Sequence, residues 1–61
     1  MEAIKYKYNK VLKKYQKCCK YLENHPEKYL PKLINFLETL DKILKEISIY
    51  SADEILNGFK E

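Results

Sequence analysis

The sequence predicts an all-α protein, an antiparallel helical hairpin followed by a short C-terminal third helix. Apolar residues recur at alternating steps of three and four over two long segments, and the strict apolar–polar alternation typical of strands is absent. One glycine and two prolines leave few places for the chain to turn. The 61 residues make up a single helical domain, 1–61. A chain this short buries only about 60% of the surface that its unfolded form exposes, so we expect it to need a partner.

The first helix is predicted over residues 2–23. Apolar residues recur every seven residues at Ile4, Val11 and Cys18, and four residues after these come Tyr8, Tyr15 and Leu22. These six residues define one narrow apolar seam. Three such repeats predict about 33 Å of amphipathic helix. The helix is expected to end before Pro26, because the residue preceding a proline disfavours the α conformation. A turn is predicted over 24–30, in which residues 27–29 form either one isolated helical turn or the start of a kinked second helix.

The second helix is predicted over 31–48, with Pro31 in its first turn, where a missing N–H is tolerated. It carries a wide apolar stripe of eight residues: Leu33, Ile34, Phe36, Leu37, Leu40, Ile43, Leu44 and Ile47. A hairpin partner covers only one narrow seam, so this width predicts a second neighbour. A short third helix is predicted over 52–57, with Ser51 and Glu54 forming a capping box and its apolar residues folding back on the second helix.

These patterns favour a small non-catalytic interaction or regulatory protein that acts through protein–protein contacts. The partner is either a second copy of the chain, giving a homodimeric helical bundle, or another helical protein. The predicted interface lies on the second helix and comprises Ile34, Phe36, Leu40, Ile43 and Ile47.

Charge is divided unevenly along the chain and supports an alternative function. Residues 1–22 carry seven lysines against one acid, a net charge of +6, whereas residues 23–61 carry five lysines against eight acids, a net charge of −3. The predicted anionic-partner face comprises Lys10, Lys13, Lys14, Lys17, Lys20 and Tyr21. Such a face could bind nucleic acid through phosphate contacts and base stacking, or dock on an acidic protein. The structural alternative is a solvated helix face whose lysines pair in part with Glu38, Asp41 and Glu46 of a neighbouring second helix.

No catalytic, cofactor-binding or metal-binding residues are predicted. His25 is the only histidine, it has no nucleophile at a supporting spacing, and we expect it in a solvent-facing turn. Cys18 and Cys19 are adjacent, so they are expected to behave as small apolar residues, or alternatively as a redox-sensitive contact.

No membrane span and no small-molecule substrate are expected, and the predicted location is cytoplasmic. Lysine supplies all 12 basic residues, a composition found in AT-rich coding sequences such as those of phages and mobile elements.

Overall fold

The computed structural model describes residues 2–60 and has three helices: α1 over Ala3–Leu22, α2 over Pro26–Ile47 and α3 over Ala52–Asn57. The helices α1 and α2 pack against each other over their length, and the molecule measures 34 × 19 × 18 Å. No strand occurs within the described residues. The all-α class and the helical hairpin predicted from the apolar periodicity are therefore confirmed.

The second helix begins at Pro26, five residues before the predicted residue 31, so residues 27–29 belong to its start, which was one of the two alternatives, and a separate turn over 24–30 is wrong. Pro26 occupies the first position of α2, and the N–H of Tyr29 donates to the carbonyl of His25 at 3.1 Å. Pro31 consequently lies inside the helix, where it cannot donate a hydrogen bond to the carbonyl of Glu27. Both Pro31 and Glu27 are exposed, so water can satisfy that carbonyl.

The chain leaves α2 through a tight turn centred on Ser48. The N–H of Ser48 donates to the carbonyl of Leu44, and the N–H of Ile49 donates to the carbonyl of Ile47, each at 2.9 Å. Ser48 has a φ of 66°, a conformation that is uncommon outside glycine and typical of a strained γ-turn. This turn redirects the chain so that α3 lies back along the hairpin.

The predicted capping box opens α3. The Ser51 hydroxyl accepts from the N–H of Glu54 at 3.2 Å, and the Glu54 carboxylate accepts from the N–H of Ser51 at 3.0 Å. A helix of six residues is not stable alone, so its structure depends on this cap and on contacts with the hairpin.

The core lies at the end of the hairpin that is remote from the α1–α2 turn. Its buried members come from α1, from α2 and from the segment after α3: Tyr8, Leu12, Leu40, Ile43 and Phe59. Phe59, beyond the end of α3, packs edge-to-face on Tyr8 with ring centroids 5.3 Å apart. The residues after α2 thus complete the core of the hairpin.

Polar side chains of α1 hold the C-terminal segment in place. The Asn9 amide donates to the carbonyl of Phe59 and accepts from its N–H, both at 2.7 Å. The Tyr8 hydroxyl donates to the carbonyl of Ile55 at 2.6 Å, and the Gln16 amide donates to a carbonyl of α3 at 3.3 Å. These hydrogen bonds to α3 and Phe59 therefore come from the first helix, whereas the sequence predicted contacts with the second.

Candidate functional site

The structure changes the assignment of the predicted interface on α2. Leu40 and Ile43 are only 6% and 3% exposed because α1 covers them, and Ile47 packs half-buried against the same core. These three residues belong to the interior of the hairpin and are not part of its outer surface. Phe36 is half-buried beside α1, and Ile34 is exposed. Ile34 alone among the five predicted residues lies on an open face.

A different set of apolar side chains is exposed on α2. Leu30, Ile34 and Leu37 are 49%, 48% and 46% exposed, and their spacings of four and three place them on one side of the helix. We call these three residues the α2 row. Leu30 was missed as an interface residue because the sequence placed it in a turn, outside the second helix.

The α2 row leads into an apolar groove between the three helices, with a volume of about 640 Å³. Its principal walls comprise Tyr15 and Cys19 of α1, Leu37 and Leu44 of α2, and Ile55 and Leu56 of α3. Among the described residues that line the groove, Asp41 is the only charged one. Leu37 belongs to both the α2 row and the groove, so the two form one continuous apolar surface.

The adjacent cysteines point to opposite sides of the α1–α2 contact. Cys18 is buried, and its thiol donates to the carbonyl of Tyr29 at 3.5 Å. Cys19 is exposed on the groove side, where its hydrogen bond with Tyr15, together with partial burial, raises the pKa of the Tyr15 hydroxyl. Both thiols are free, so Cys18 serves packing and Cys19 is accessible from the groove.

The predicted anionic-partner face divides between two separate cavities. Lys10 and Lys13 line one of about 380 Å³ that faces the end of α3. Lys14, Lys17 and Tyr21 line another on the side that faces α2. Lys20, the remaining member, lines neither of these two cavities. The sequence pattern placed these residues on one helix face but could not show that neighbouring elements divide it.

The predicted lysine face makes no ion pair with any residue of 2–60. Ion pairs among the described residues join Lys5 to Glu2 at 3.9 Å and Lys45 to Asp41 at 3.1 Å. The partial pairing that the structural alternative expects with Glu38, Asp41 and Glu46 is therefore not found within one chain, whereas the solvated face that it expects agrees with the exposure of all five lysines. The lysines of the face remain available to an external anion.

At the turn end of the hairpin, α1 and α2 enclose a cleft of about 280 Å³, which we call the basic–aromatic cleft. It is lined by Lys14, Lys17, Cys18 and Tyr21 of α1 and by Tyr29, Lys32 and Phe36 of α2. Tyr21 and Tyr29 stack with ring centroids 5.6 Å apart and planes inclined by 27°. The ammonium groups of Lys28 and Lys32 lie 5.5 and 5.4 Å from the Tyr29 ring centroid, within the range of cation–π attraction.

The α2 side of this cleft was not predicted as part of a site, because the second helix was predicted to begin at residue 31. Lys28 and Lys32 are four residues apart, which places both on one side of a helix beside Tyr29. They share one helix only in the alternative in which residues 27–29 start the second helix. The signal for that alternative is Pro26, because proline favours the first helical position.

The remaining features of residues 2–60 define no further site. His25 is exposed at the N-cap of α2, with its ring centroid 6.3 Å from that of Tyr29. Within residues 2–60 no three His, Cys, Asp or Glu side chains come together as a metal site would require. None of the described helices combines the length and apolar character needed to cross a bilayer.

Comparison with protein-family models, curated proteins and solved structures gives no match to this chain.

Proposed function

We propose that this protein is a non-catalytic interaction module that binds a helix along the α2 row and the apolar groove, and that its first partner is a second copy of itself. The observation that carries the proposal is the row of Leu30, Ile34 and Leu37, each close to half exposed and continuous with the groove. An amphipathic helix docks in such a groove through apolar residues spaced by three and four.

The small core of the chain supports a need for a partner. Six apolar side chains are buried among the described residues, and five of them form one cluster. No disulfide joins the two cysteines, since both are free. A domain of this size without a covalent or metal cross-link gains stability by covering further apolar surface, and association supplies it.

The α2 row is itself a suitable ligand for the same surface of another copy. It presents three aliphatic side chains at the spacing of a helix-in-groove ligand, and it matches a groove with Asp41 as its one charged lining residue. A two-fold axis beside the row would bring row against row and build a bundle of four long helices. The lysines of α1 would then remain on the outside.

The surface area that a stable dimer interface requires is compatible with the dimensions of the molecule. A stable interface covers about 800 Å² on each partner, roughly one sixth of the 4910 Å² accessible surface of the chain. One long side of a molecule measuring 34 × 19 × 18 Å offers a footprint of that order. Dimerisation therefore needs one flank of the hairpin and leaves the opposite flank open.

The test is the molar mass in solution, measured by light scattering after size exclusion from micromolar to millimolar concentration. We expect twice the chain mass of 7.4 kDa. Ile34→Lys should give a monomer, because it places a charge in the α2 row. Asn35→Lys, which adds the same charge at the neighbouring exposed position on another side of the helix, should remain dimeric.

The exposed thiol of Cys19 provides an independent measurement. If a second copy covers the groove, alkylation of Cys19 slows as the protein concentration rises, and Ile34→Lys removes this protection. Buried Cys18 should react slowly in both proteins and reports any unfolding. A wild-type protein that is monomeric throughout, with Cys19 equally reactive at every concentration, would overturn self-association.

A further inference from the structure

We propose that the basic–aromatic cleft binds single-stranded nucleic acid, with the lysines on phosphates and the tyrosine pair against an unpaired base. This site differs from the lysine face predicted on α1, because half of it comes from α2. It is also independent of the proposed dimer. Cys18 and Phe36 line the cleft, whereas the next residues along each helix, Cys19 and Leu37, line the apolar groove.

The charge of the cleft favours an anionic ligand. Lys14 and Lys17 stand on its α1 wall and Lys32 on its α2 wall, and no acidic side chain of residues 2–60 lines it. None of these lysines takes part in an ion pair with a described residue. Ammonium groups held together in this way repel one another, and an anion between them relieves that repulsion.

The geometry of the aromatic pair distinguishes a nucleic acid from other anions. Tyr21 and Tyr29 stack nearly parallel, and Tyr21 is 44% exposed. A base can continue the stack on the open side of Tyr21, whereas a carboxylate side chain gains nothing from a ring face. Lys28 and Lys32 engage the Tyr29 ring, so the pair is already ordered before a ligand arrives.

The positions of the lysines favour a strand over a single phosphate. Lys14 and Lys17 are three residues apart on α1, about 4.5 Å along the helix axis. On α2, Lys28 does not line the cleft but lies over the Tyr29 ring, four residues and about 6 Å from Lys32. A backbone passing through the cleft could therefore contact lysines of both walls at successive phosphates. The chain has no arginine, so planar bidentate arginine contacts to phosphates and guanine edges are absent, and weak sequence preference is expected.

The experiment measures fluorescence anisotropy of short labelled oligo(U) RNA and oligo(dT) DNA with the full chain at low salt. Both strands should bind, and the logarithm of the association constant should fall with the logarithm of salt concentration with a slope of about −2 to −3, corresponding to three or four lysine–phosphate contacts. Uridine monophosphate should compete only weakly, because it offers one phosphate. Competition as strong as that of the oligomer would overturn the strand assignment.

Two matched pairs of charge reversals locate the site. The cleft pair combines Lys17→Glu with Lys32→Glu, at two lysines that line the basic–aromatic cleft. The control pair combines Lys10→Glu with Lys13→Glu, at two lysines that line the cavity facing the end of α3. Each pair lowers the net charge by the same amount. The cleft pair should weaken binding at least about tenfold and the control pair less than about threefold at moderate salt, since distant exposed charges are screened. Equal losses would mean that only net charge attracts the strand, and would overturn the proposal.

Tyr21→Leu tests stacking without changing charge. It keeps an apolar side chain of similar reach, and it should weaken binding about fivefold or more, the effect of losing one stacked base. Unchanged affinity, or displacement of the strand by a poly-glutamate peptide at the same charge concentration, would show a surface that recognises negative charge alone and would overturn the proposal. Circular dichroism of each variant confirms that the helices are retained.

Discussion

The two ends of the hairpin use similar residues for different purposes. The tail end, residues 2–13 and 37–60, contains the whole core cluster and the hydrogen bonds from Asn9 and Tyr8 that hold the C-terminal segment. The turn end, residues 14–36, has Cys18 as its one buried residue among those described. Tyr21 and Tyr29 stack there, and Leu30 and Ile34 of the α2 row are about half exposed. The buried core is therefore concentrated at the tail end, whereas the surfaces open to a partner run from the turn end into the groove beside that core.

Removing one phenyl ring from each end should give the largest difference in unfolding free energy between the two ends. Phe59→Ala empties the core, and we expect a loss of about 3–5 kcal/mol in the free energy of unfolding, enough to unfold much of a small domain. Phe36→Ala at the half-buried cleft should cost about half as much or less, because less area leaves water there. Chemical denaturation of both variants measures the difference. Equal losses would contradict the concentration of stability at the tail end.

Gly58 tests how closely the C-terminal segment approaches α1. Its φ is +91°, and a Cβ there would lie 2.7 Å from the Asn9 Oδ1 atom. Gly58→Ala should therefore cost about 1–3 kcal/mol in unfolding free energy.

Combining Gly58→Ala with Asn9→Ala separates the close contact with Asn9 from the backbone strain at position 58 as causes of the lost stability. The double variant should lose less than the sum of the single variants, because removal of the Asn9 amide relieves the close contact and leaves only the backbone strain. Strict additivity in thermal or chemical denaturation would show that the contact contributes nothing.

Tyr8 should make the tail end sensitive to alkaline pH. Burial, and secondarily the charge of Tyr50, raise the pKa of Tyr8 above its ordinary value of 10.0. The neutral hydroxyl therefore stabilises the fold fully below pH 10, and this contribution is lost as the pH rises through the higher pKa of the folded state. Tyr8→Phe should cost about 1–2 kcal/mol at neutral pH by leaving the Ile55 carbonyl without its donor.

The pH effect is measured as melting temperature against pH up to the alkaline range. Tyr8→Phe should lose less stability than the wild type between neutral and alkaline pH. Tyr6→Phe, on the same helix but 56% exposed, should behave as the wild type does. Parallel curves for wild type and Tyr8→Phe would contradict the role assigned to the buried hydroxyl.

The smallest expected effects come from the helix caps, which differ between the ends. Ser51 caps α3 with its side chain, whereas His25 at the N-cap of α2 makes no side-chain capping bond. Ser51→Ala should lower the unfolding free energy by about 1 kcal/mol, and His25→Asp should raise it by up to about 1 kcal/mol. Thermal denaturation of the two variants measures both changes. A destabilising His25→Asp would show that the N-terminus of α2 is already satisfied.

The hairpin was predictable because its signals are local. Apolar spacing placed α1 and α3 within a residue of their observed bounds, and the Ser51–Glu54 box was apparent from two residues three apart. The start of α2 was placed at residue 31 because Pro26 and Pro31 both favour the first turn of a helix, and the sequence left open whether the turn after Pro26 joins the second helix. Choosing between two prolines depends on whether residues 27–30 gain contacts with α1, which the local pattern does not contain.

The sequence by itself determined the number and order of the helices and which residues share a face of each, because the helical period fixes these from neighbouring positions alone. Tertiary structure decided which part of the broad α2 stripe is covered, assigning Leu40 and Ile43 to the interior and leaving Ile34 and Leu37 in the open row. It also brought Asn9 to Phe59, 50 positions apart, and Tyr29 to Tyr21 across the turn. Such contacts depend on how whole helices pack, and a periodic pattern does not specify which neighbour covers a face.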